Sequence, residues 1–161
     1  MARNQKKDAD DGIQVICRNK RAFHEYEISD RLECGVALTG TEVKSLRDGH
    51  ASLEDAYAKV ENDEVWMLGS DIPEYAMGNR MNHKPKRPRK LLLHRNEIHK
   101  FAAKAEQKGF TLVPLRMYFK EGRAKVELAV AGGKKMYDKR EAAKKASAER
   151  DIQRAMRERR R

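Results

Sequence analysis

The alternation and spacing of apolar positions divide the chain into short elements. Residues 13–17, IQVIC, form an apolar run of strand character. In RNKRAFHEYEI (18–28), NKRAFHEY fits one helical turn before the chain extends again. LECGVALTG (32–40) is β-compatible and is closed by Gly40. TGTEVKSLRDGH (39–50) is punctuated as a helix, with Thr41 as N-cap, Val43 and Leu46 three apart, and Gly49 at its end. AYAKVENDEVWML (56–68) reads as a hairpin around ENDE, with Trp66 and Leu68 on one face. LLLHRNEIHKFAAKAEQKG (91–109) is the clearest helix. In it Ile98, Phe101, Ala102 and Ala105 recur on one face, and Gly109 stands where a helix-closing residue belongs. A second hairpin spans 110–131, turning at KEGR, with Ala124, Val126, Leu128 and Val130 alternating with polar positions. Pro114 lacks an N–H to donate, which implies a sheet edge or a bulge.

This order predicts a mainly β fold with helices. Short strands with a helix before the last pair suggest a closed OB-type β-barrel flanked by short helices, a form whose strand face and loops bind nucleic acid. The domain is expected over 13–131, after a polar, disordered segment 1–12 and before a basic tail 132–161.

Charge sharpens the picture. The formal net charge is +11, yet residues 1–79 carry −6, residues 80–133 carry +10 and residues 134–161 carry +7. Such a distribution fits a polyanion, because Lys and Arg displace condensed counterions from phosphates. An anionic membrane would call for Trp, Phe or Leu along an apolar helix face. The tail offers alanines plus Met136, Tyr137, Ile152 and Met156, so nucleic acid is the better partner. MARNQKKDADDG has no apolar core of a signal peptide, and no stretch has the length of a membrane span. A cytoplasmic protein with reduced thiols follows, Cys17 and Cys34 serving as small apolar residues.

Two basic segments carry the functional question. Residues 71–90 hold three of the four prolines, and six basic residues lie between Arg80 and Lys90 with no acid among them. That loop reads either as a solvated face or as a phosphate clamp leading into KLLLH. Residues 138–160 contain no Pro or Gly and are rich in Ala, Lys, Arg and Glu. With no broad apolar stripe, the tail is expected to be disordered when free and helical on an anionic surface. It would then reach about 34 Å at ~1.5 Å per residue.

Catalytic chemistry finds no support. The five histidines and two cysteines show none of the zinc spacings, and GGKK at 132–135 is not a phosphate-binding loop. His24 with Glu25, or Glu33 with a lysine, could serve as acid and base in RNA cleavage, but no spacing favours it. No enzyme activity, cofactor or metal is expected.

Four stretches together resemble one family: NKRAFHEYEI (19–28), ECGVALTGTEVKSLRDGHASLEDAY (33–57), RKLLLHRNEIHK (89–100) and GGKKMYDKR (132–140). In matching order over 13–140, they are similar to the SsrA-binding proteins, the SmpB family. The resemblance implies an OB-fold factor that binds the tRNA-like domain of tmRNA. That family delivers alanyl-tmRNA, with elongation factor Tu and GTP, to stalled 70S ribosomes in trans-translation. By position it implies tmRNA contacts from Asn19, Lys20, Arg21, Glu33, Glu42, Lys44, Arg47, Gly49, Arg89, Lys90 and Leu92. For Glu42, a buried pair with Lys or Arg explains the residue equally well. Cys34 stands where the family's EAG motif has alanine, a small residue for a small one.

The resemblance further implies a decoding-centre contact through Gly133, Lys134, Lys135, Tyr137, Asp138, Lys139 and Arg140. Tyr137 offers a ring that can stack on a base. Beyond Arg140 the likeness is one of composition, and Lys144, Lys145, Arg150, Ile152 and Met156 are candidates for small-subunit rRNA contact in the empty mRNA channel. Read without the family, the chain is a basic OB-fold ribosomal or ribosome-associated RNA-binding protein.

Overall fold

The computed structural model describes residues 12–107, 109–134 and 136–158. In chain order the elements are β1 (Ile13–Arg18), α1 (Lys20–Glu25), β2 (Tyr26–Val36), α2 (Gly40–Arg47), β3 (Tyr57–Glu61) and β4 (Glu64–Leu68). Then follow β5 (Arg89–Leu92), α3 (Arg95–Ala105), β6 (Phe110–Lys120), β7 (Arg123–Gly133) and α4 (Met136–Glu158).

The strands are antiparallel and close on themselves. Going round, β6 pairs with β3, β3 with β4, β4 with β5, β5 with β2, β2 with β7, and β7 again with β6. Closure leaves few free edges, which is what an antiparallel sheet of this size needs to avoid pairing with other chains. β6 makes the closure possible. One edge pairs with β7 along its length. The other pairs with β3 at Leu112 and with β1 from Arg116 to Lys120. Between those partners the β6–β7 register shifts at Pro114/Arg116. Of the two roles expected for Pro114, it takes the bulge and not the edge.

Both hairpins turn as their sequences require. Asn62 and Asp63 have φ of 52° and 58°, and Glu121 and Gly122 have 51° and 73°. Two-residue turns with positive φ match the strand twist. In β4 Trp66 and Leu68 share one face, as expected, and the enclosed face is the other one. Val65 and Met67 are fully enclosed, whereas Trp66 and Leu68 are half-buried on the other side. Cys34, Leu91, Leu112, Met117, Val126, Leu128 and Phe101 join Val65 and Met67 in the main core. Burying side chains of this size yields roughly 1.5–3 kcal/mol each.

Two helix starts also differ from expectation. Leu91 and Leu92 belong to β5 and point to opposite sides, Leu91 inward and Leu92 outward. The helix begins four residues later than 91, where the His94 amide donates to the Glu97 carboxylate at 3.0 Å. Gly109, at φ 89°, lies beyond the end of α3 and leads into β6. In α2 the N-cap is Thr39, not Thr41. The Thr39 amide donates to Glu42 Oε2 at 2.8 Å, and the Thr41 hydroxyl instead pairs with His83 Nδ1 at 2.9 Å.

A smaller apolar cluster lies beneath α1. Ala22 packs there with Val113, Leu115, Ala129 and Ala131. Asn19 locks α1 to β6. Its amide donates to the Leu115 carbonyl at 2.7 Å and its Nδ2 to the Pro114 carbonyl at 3.1 Å, while its Oδ1 accepts from the Ala22 amide at 3.0 Å. The strand β7 runs to Gly133, two residues past the domain end expected from sequence. The tail is helical in this structure. From Arg140 to Glu158 every side chain except the half-buried Ala146 is exposed, as the missing apolar stripe implies.

Candidate nucleic-acid interface

Strand β2 separates the candidate residues into two groups. Its start, Tyr26, pairs with Gly133; its end, Gly35 and Val36, pairs with Leu92 and Leu91. Nine residue steps of strand span about 30 Å at ~3.3 Å each. One group therefore lies at the root of the tail and the other around α2 and β5.

At the tail root, Asn19 is 1% exposed, and its amide and both side-chain polar atoms are used inside the fold. It positions α1; it does not present a side chain outward. Lys20 is exposed. Arg21 is exposed but engaged, donating to Glu25 Oε1 and Asp55 Oδ1 at 2.9 Å each. The hydrogen bond from Arg21 holds the Glu25 carboxyl below the usual carboxylate range. Lys134 closes β7 onto α1: its amide donates to the Glu25 carbonyl and its Nζ to the Phe23 carbonyl, both at 3.1 Å. A cation here also suits the carbonyl end of α1. Lys135, and the side chains of Tyr137 and Asp138, lie outside the described residues. Lys139 is half-buried and Arg140 exposed at the start of α4, and Lys144, Lys145, Arg150, Ile152 and Met156 are all exposed farther along it.

Midway, Glu33 is exposed and accepts from the Tyr118 hydroxyl at 2.5 Å and from Lys120 Nζ at 3.4 Å. The Tyr118 bond, then the Lys120 charge, holds its carboxyl below the ordinary range against the opposing cost of desolvation. Tyr118 itself is buried, and its phenol is pushed up by that burial and by Glu33. Glu33 is thus an oriented, charged acceptor on the surface, able to take a hydrogen bond from a base edge.

At the far end the chemistry splits between inside and outside. Glu42 has no exposed surface. It accepts from Arg87 Nε at 2.7 Å, Arg87 Nη2 at 2.6 Å, Arg89 Nε at 2.9 Å and the Thr39 amide. Arg89 is equally enclosed and donates also to the Ser70 carbonyl and hydroxyl and the Pro85 carbonyl, each at 2.9 Å. Burial raises the Glu42 carboxyl, but the Arg87 and Thr39 bonds and the Arg89 charge outweigh it and hold it low. Of the two readings open for Glu42, the buried pair is the one observed. Arg89, expected as an RNA contact, is its internal counter-charge.

Outside this hub, Lys44 and Arg47 stand exposed on α2, with the Lys44 ammonium 5.6 Å from the centre of the Tyr75 ring. Gly49, at φ 81°, ends the helix with a left-handed residue that lets the chain leave α2. Lys90 pairs with Glu64 at 2.6 Å. Leu92 is 52% exposed and caps an open groove of about 400 Å³ with Leu38, Val43, Phe119, Arg123 and Lys125. A Cβ on Gly35 would come within 3.2 Å of Leu92 Cβ, so the missing side chain keeps that approach open. An apolar floor beside two cations suits an unstacked base with its phosphate.

A family model, that of the SmpB protein, matches residues 16–158. The chain belongs to the SmpB family. The match takes in both the closed sheet and the whole of α4. Among SmpB-family relatives, the SsrA-binding protein of Thermobifida fusca is 55% identical over 160 residues, 99% of this chain and 100% of that one. That of Desulforudis audaxviator is 54% identical over 144 residues, 89% of this chain and 94% of its own. A solved structure described as "tmRNA-SmpB: a journey to the center of the bacterial ribosome" is 48% identical with a TM-score of 0.64, covering 74% of this chain and 85% of that one.

Several members of this SmpB surface escape a reading of the sequence alone. Arg87, Tyr118 and Lys120 set the charge and orientation of Glu42 and Glu33 from 45, 85 and 87 residues away. A signal for Tyr118 and Lys120 exists only in their shared parity along β6. The two thiols take no part: burial pushes both Cys17 and Cys34 up to about 12. Among the described residues, no cluster of His, Cys, Asp or Glu could hold a metal, and no helix is long and apolar enough to cross a membrane.

Proposed function

We propose that the protein binds the tRNA-like domain of tmRNA and brings it to stalled ribosomes in trans-translation. The observation that carries this reading is the family match across 16–158, which takes in the folded RNA-facing domain and the exposed tail helix together. The geometry supports a division of labour. Lys44, Arg47, Leu92 and Glu33 face outward from the closed sheet, with Glu42 and Arg89 as the internal hub beneath α2 and β5. Phosphates pair with the cations, while Leu92 and Glu33 meet bases.

The tail is the ribosomal arm. Its root is fixed by Lys134 on α1, and the residues from Lys135 to Arg140 enter the decoding centre. The remainder of α4 lies along the empty mRNA channel, held by Lys144, Lys145 and Arg150 on rRNA phosphates and by Ile152 and Met156 on its walls. Elongation factor Tu with GTP arrives on the same alanyl-tmRNA, and the protein works in the cytoplasm.

Truncation after Lys134 tests the division. The shortened protein keeps every strand and the contacts of Lys134 with α1, so it is expected to bind the tRNA-like domain nearly as well as the full chain. Peptide tagging on stalled ribosomes is expected to be lost. Parallel loss of tmRNA affinity and tagging would contradict the reading.

A further inference from the structure

The loop between β4 and β5 carries a built projection whose purpose the surfaces above do not explain. Its base is sealed: Ser52 and Asp71 exchange backbone hydrogen bonds, and the Ile72 amide donates to the Pro85 carbonyl at 3.0 Å. Higher up, Asn82 clamps Tyr75 twice. Its Oδ1 accepts from the Tyr75 amide at 3.2 Å and its Nδ2 donates to the Tyr75 carbonyl at 2.8 Å. The Gly78 amide returns to the same carbonyl at 2.8 Å. A side chain at Gly78 would meet Asn82 Nδ2 at 2.5 Å and the Tyr75 carbonyl at 2.9 Å, so only glycine fits. The six-residue tip 76–81 is thus held in one shape.

That tip spends its rigidity on exposure. Met77 is 87% and Met81 85% exposed, with Arg80 between them in sequence and also exposed. Residues 75–90 contain no acid. Of the six basic residues from Arg80 to Lys90, Arg87 and Arg89 turn inward to Glu42 and Lys90 pairs with Glu64. Arg80, Lys84 and Lys86 remain exposed, with no carboxylate partner among the described residues. Two polarizable apolar side chains flanking an unpaired guanidinium suit a nucleic acid: the sulfur-bearing chains pack on a base or wedge a base step while arginine takes the phosphate.

Position selects which RNA. The loop is tied to α2 by the Ser45 hydroxyl donating to the Pro73 carbonyl at 2.8 Å, by Thr41 with His83, and by Lys44 over Tyr75. It continues the surface of Lys44 and Arg47, at the end of β2 away from the tail root. We infer that Met77, Arg80 and Met81 form an additional contact with the tRNA-like domain of tmRNA, extending the surface of α2; this rests on the function proposed above.

The test uses the full chain and a labelled tRNA-like-domain RNA. Met77→Ser with Met81→Ser is expected to weaken binding about tenfold, the effect of losing one good base contact. Arg80→Ser is expected to weaken it and to lower the slope of log affinity against log salt by about one. Thermal midpoints should not move, since the clamp residues Tyr75, Gly78 and Asn82 are untouched. Unchanged affinity and slope with a wild type that binds would overturn the tip contact alone. A wild type that does not bind would overturn both this contact and the function beneath it. Weaker binding to 70S ribosomes with unchanged affinity for the tRNA-like domain would overturn the assignment in favour of ribosomal RNA.

Discussion

Replacing Glu42 by glutamine keeps the shape of the side chain and removes the carboxylate that hydrogen-bonds the buried Arg89. Glu42 and Arg89 are both fully enclosed, and Arg87 is only partly exposed. A guanidinium is always protonated in a protein, so Arg89 cannot escape by titrating. Glutamine would also turn an N–H pair toward donors; each Glu42 oxygen accepts two bonds, so two of those from Arg87, Arg89 and Thr39 are left unmade. Breaking one member of a buried pair costs about 3–5 kcal/mol. For a chain of this length that lowers the thermal midpoint by about 10 °C, at roughly 3 °C per kcal/mol. Urea unfolding gives the free energy and calorimetry the midpoint. Adding Arg89→Met to Glu42→Gln should recover part of the loss, because the stranded charge is gone and the coupled sites are not additive. A Glu42→Gln penalty below ~1 kcal/mol, or a double variant as unstable as the summed singles, would refute the hub as drawn.

The same hub predicts an acid limit. A carboxyl held below its ordinary value contributes stability that is present above the unfolded pKa, near ~4.3, and is lost as pH falls through the lower folded value. The gap between the urea midpoints of wild type and Glu42→Gln should therefore hold from pH 7 to about pH 4 and close as pH falls further; a gap that stays constant below about pH 4 would contradict the ionised hub. The thiols give a second check. With both pushed up to about 12, Cys17 and Cys34 should resist alkylation at pH 8 in the native protein and react in denaturant, as followed by mass. Rapid native labelling of Cys34 would contradict its enclosure beside Leu32 and Val126.

Local signals were legible where one residue type settles one conformation. Both hairpin turns, the bulge at Pro114 and the stripe of Ile98, Phe101 and Ala105 belong to this class. Closure of the sheet followed from their order. Less legible were positions where two periods fit. Three consecutive leucines, Leu91 to Leu93, satisfy a helix start as well as a strand end. The pairing of Leu91 with Val65 and Val36 decides for the strand. In β4, Trp66 was the larger apolar group, but parity with Val65 and Met67 sets the inward face. Least legible was the state of each charge. Arg21, Arg87 and Arg89 sit in motifs that read as phosphate contacts. Arg21 has one partner at helical spacing, Glu25, but its other carboxylate, Asp55, is 34 residues away, and Glu42 stands 45 and 47 residues from Arg87 and Arg89, beyond any helical or strand spacing. The split between outward and inward cations is a tertiary fact. It leaves Lys44, Arg47, Leu92 and the loop tip as outward-facing groups at that end of β2.

The most direct measurement is recovery of the tagged full-length protein from its own cells under native conditions, followed by sequencing of the bound RNA. The account predicts tmRNA as the dominant species, retained after ribosomes are removed and retained by the protein truncated after Lys134. Recovery of ribosomal RNA alone, in fixed ratio with one subunit, would contradict it.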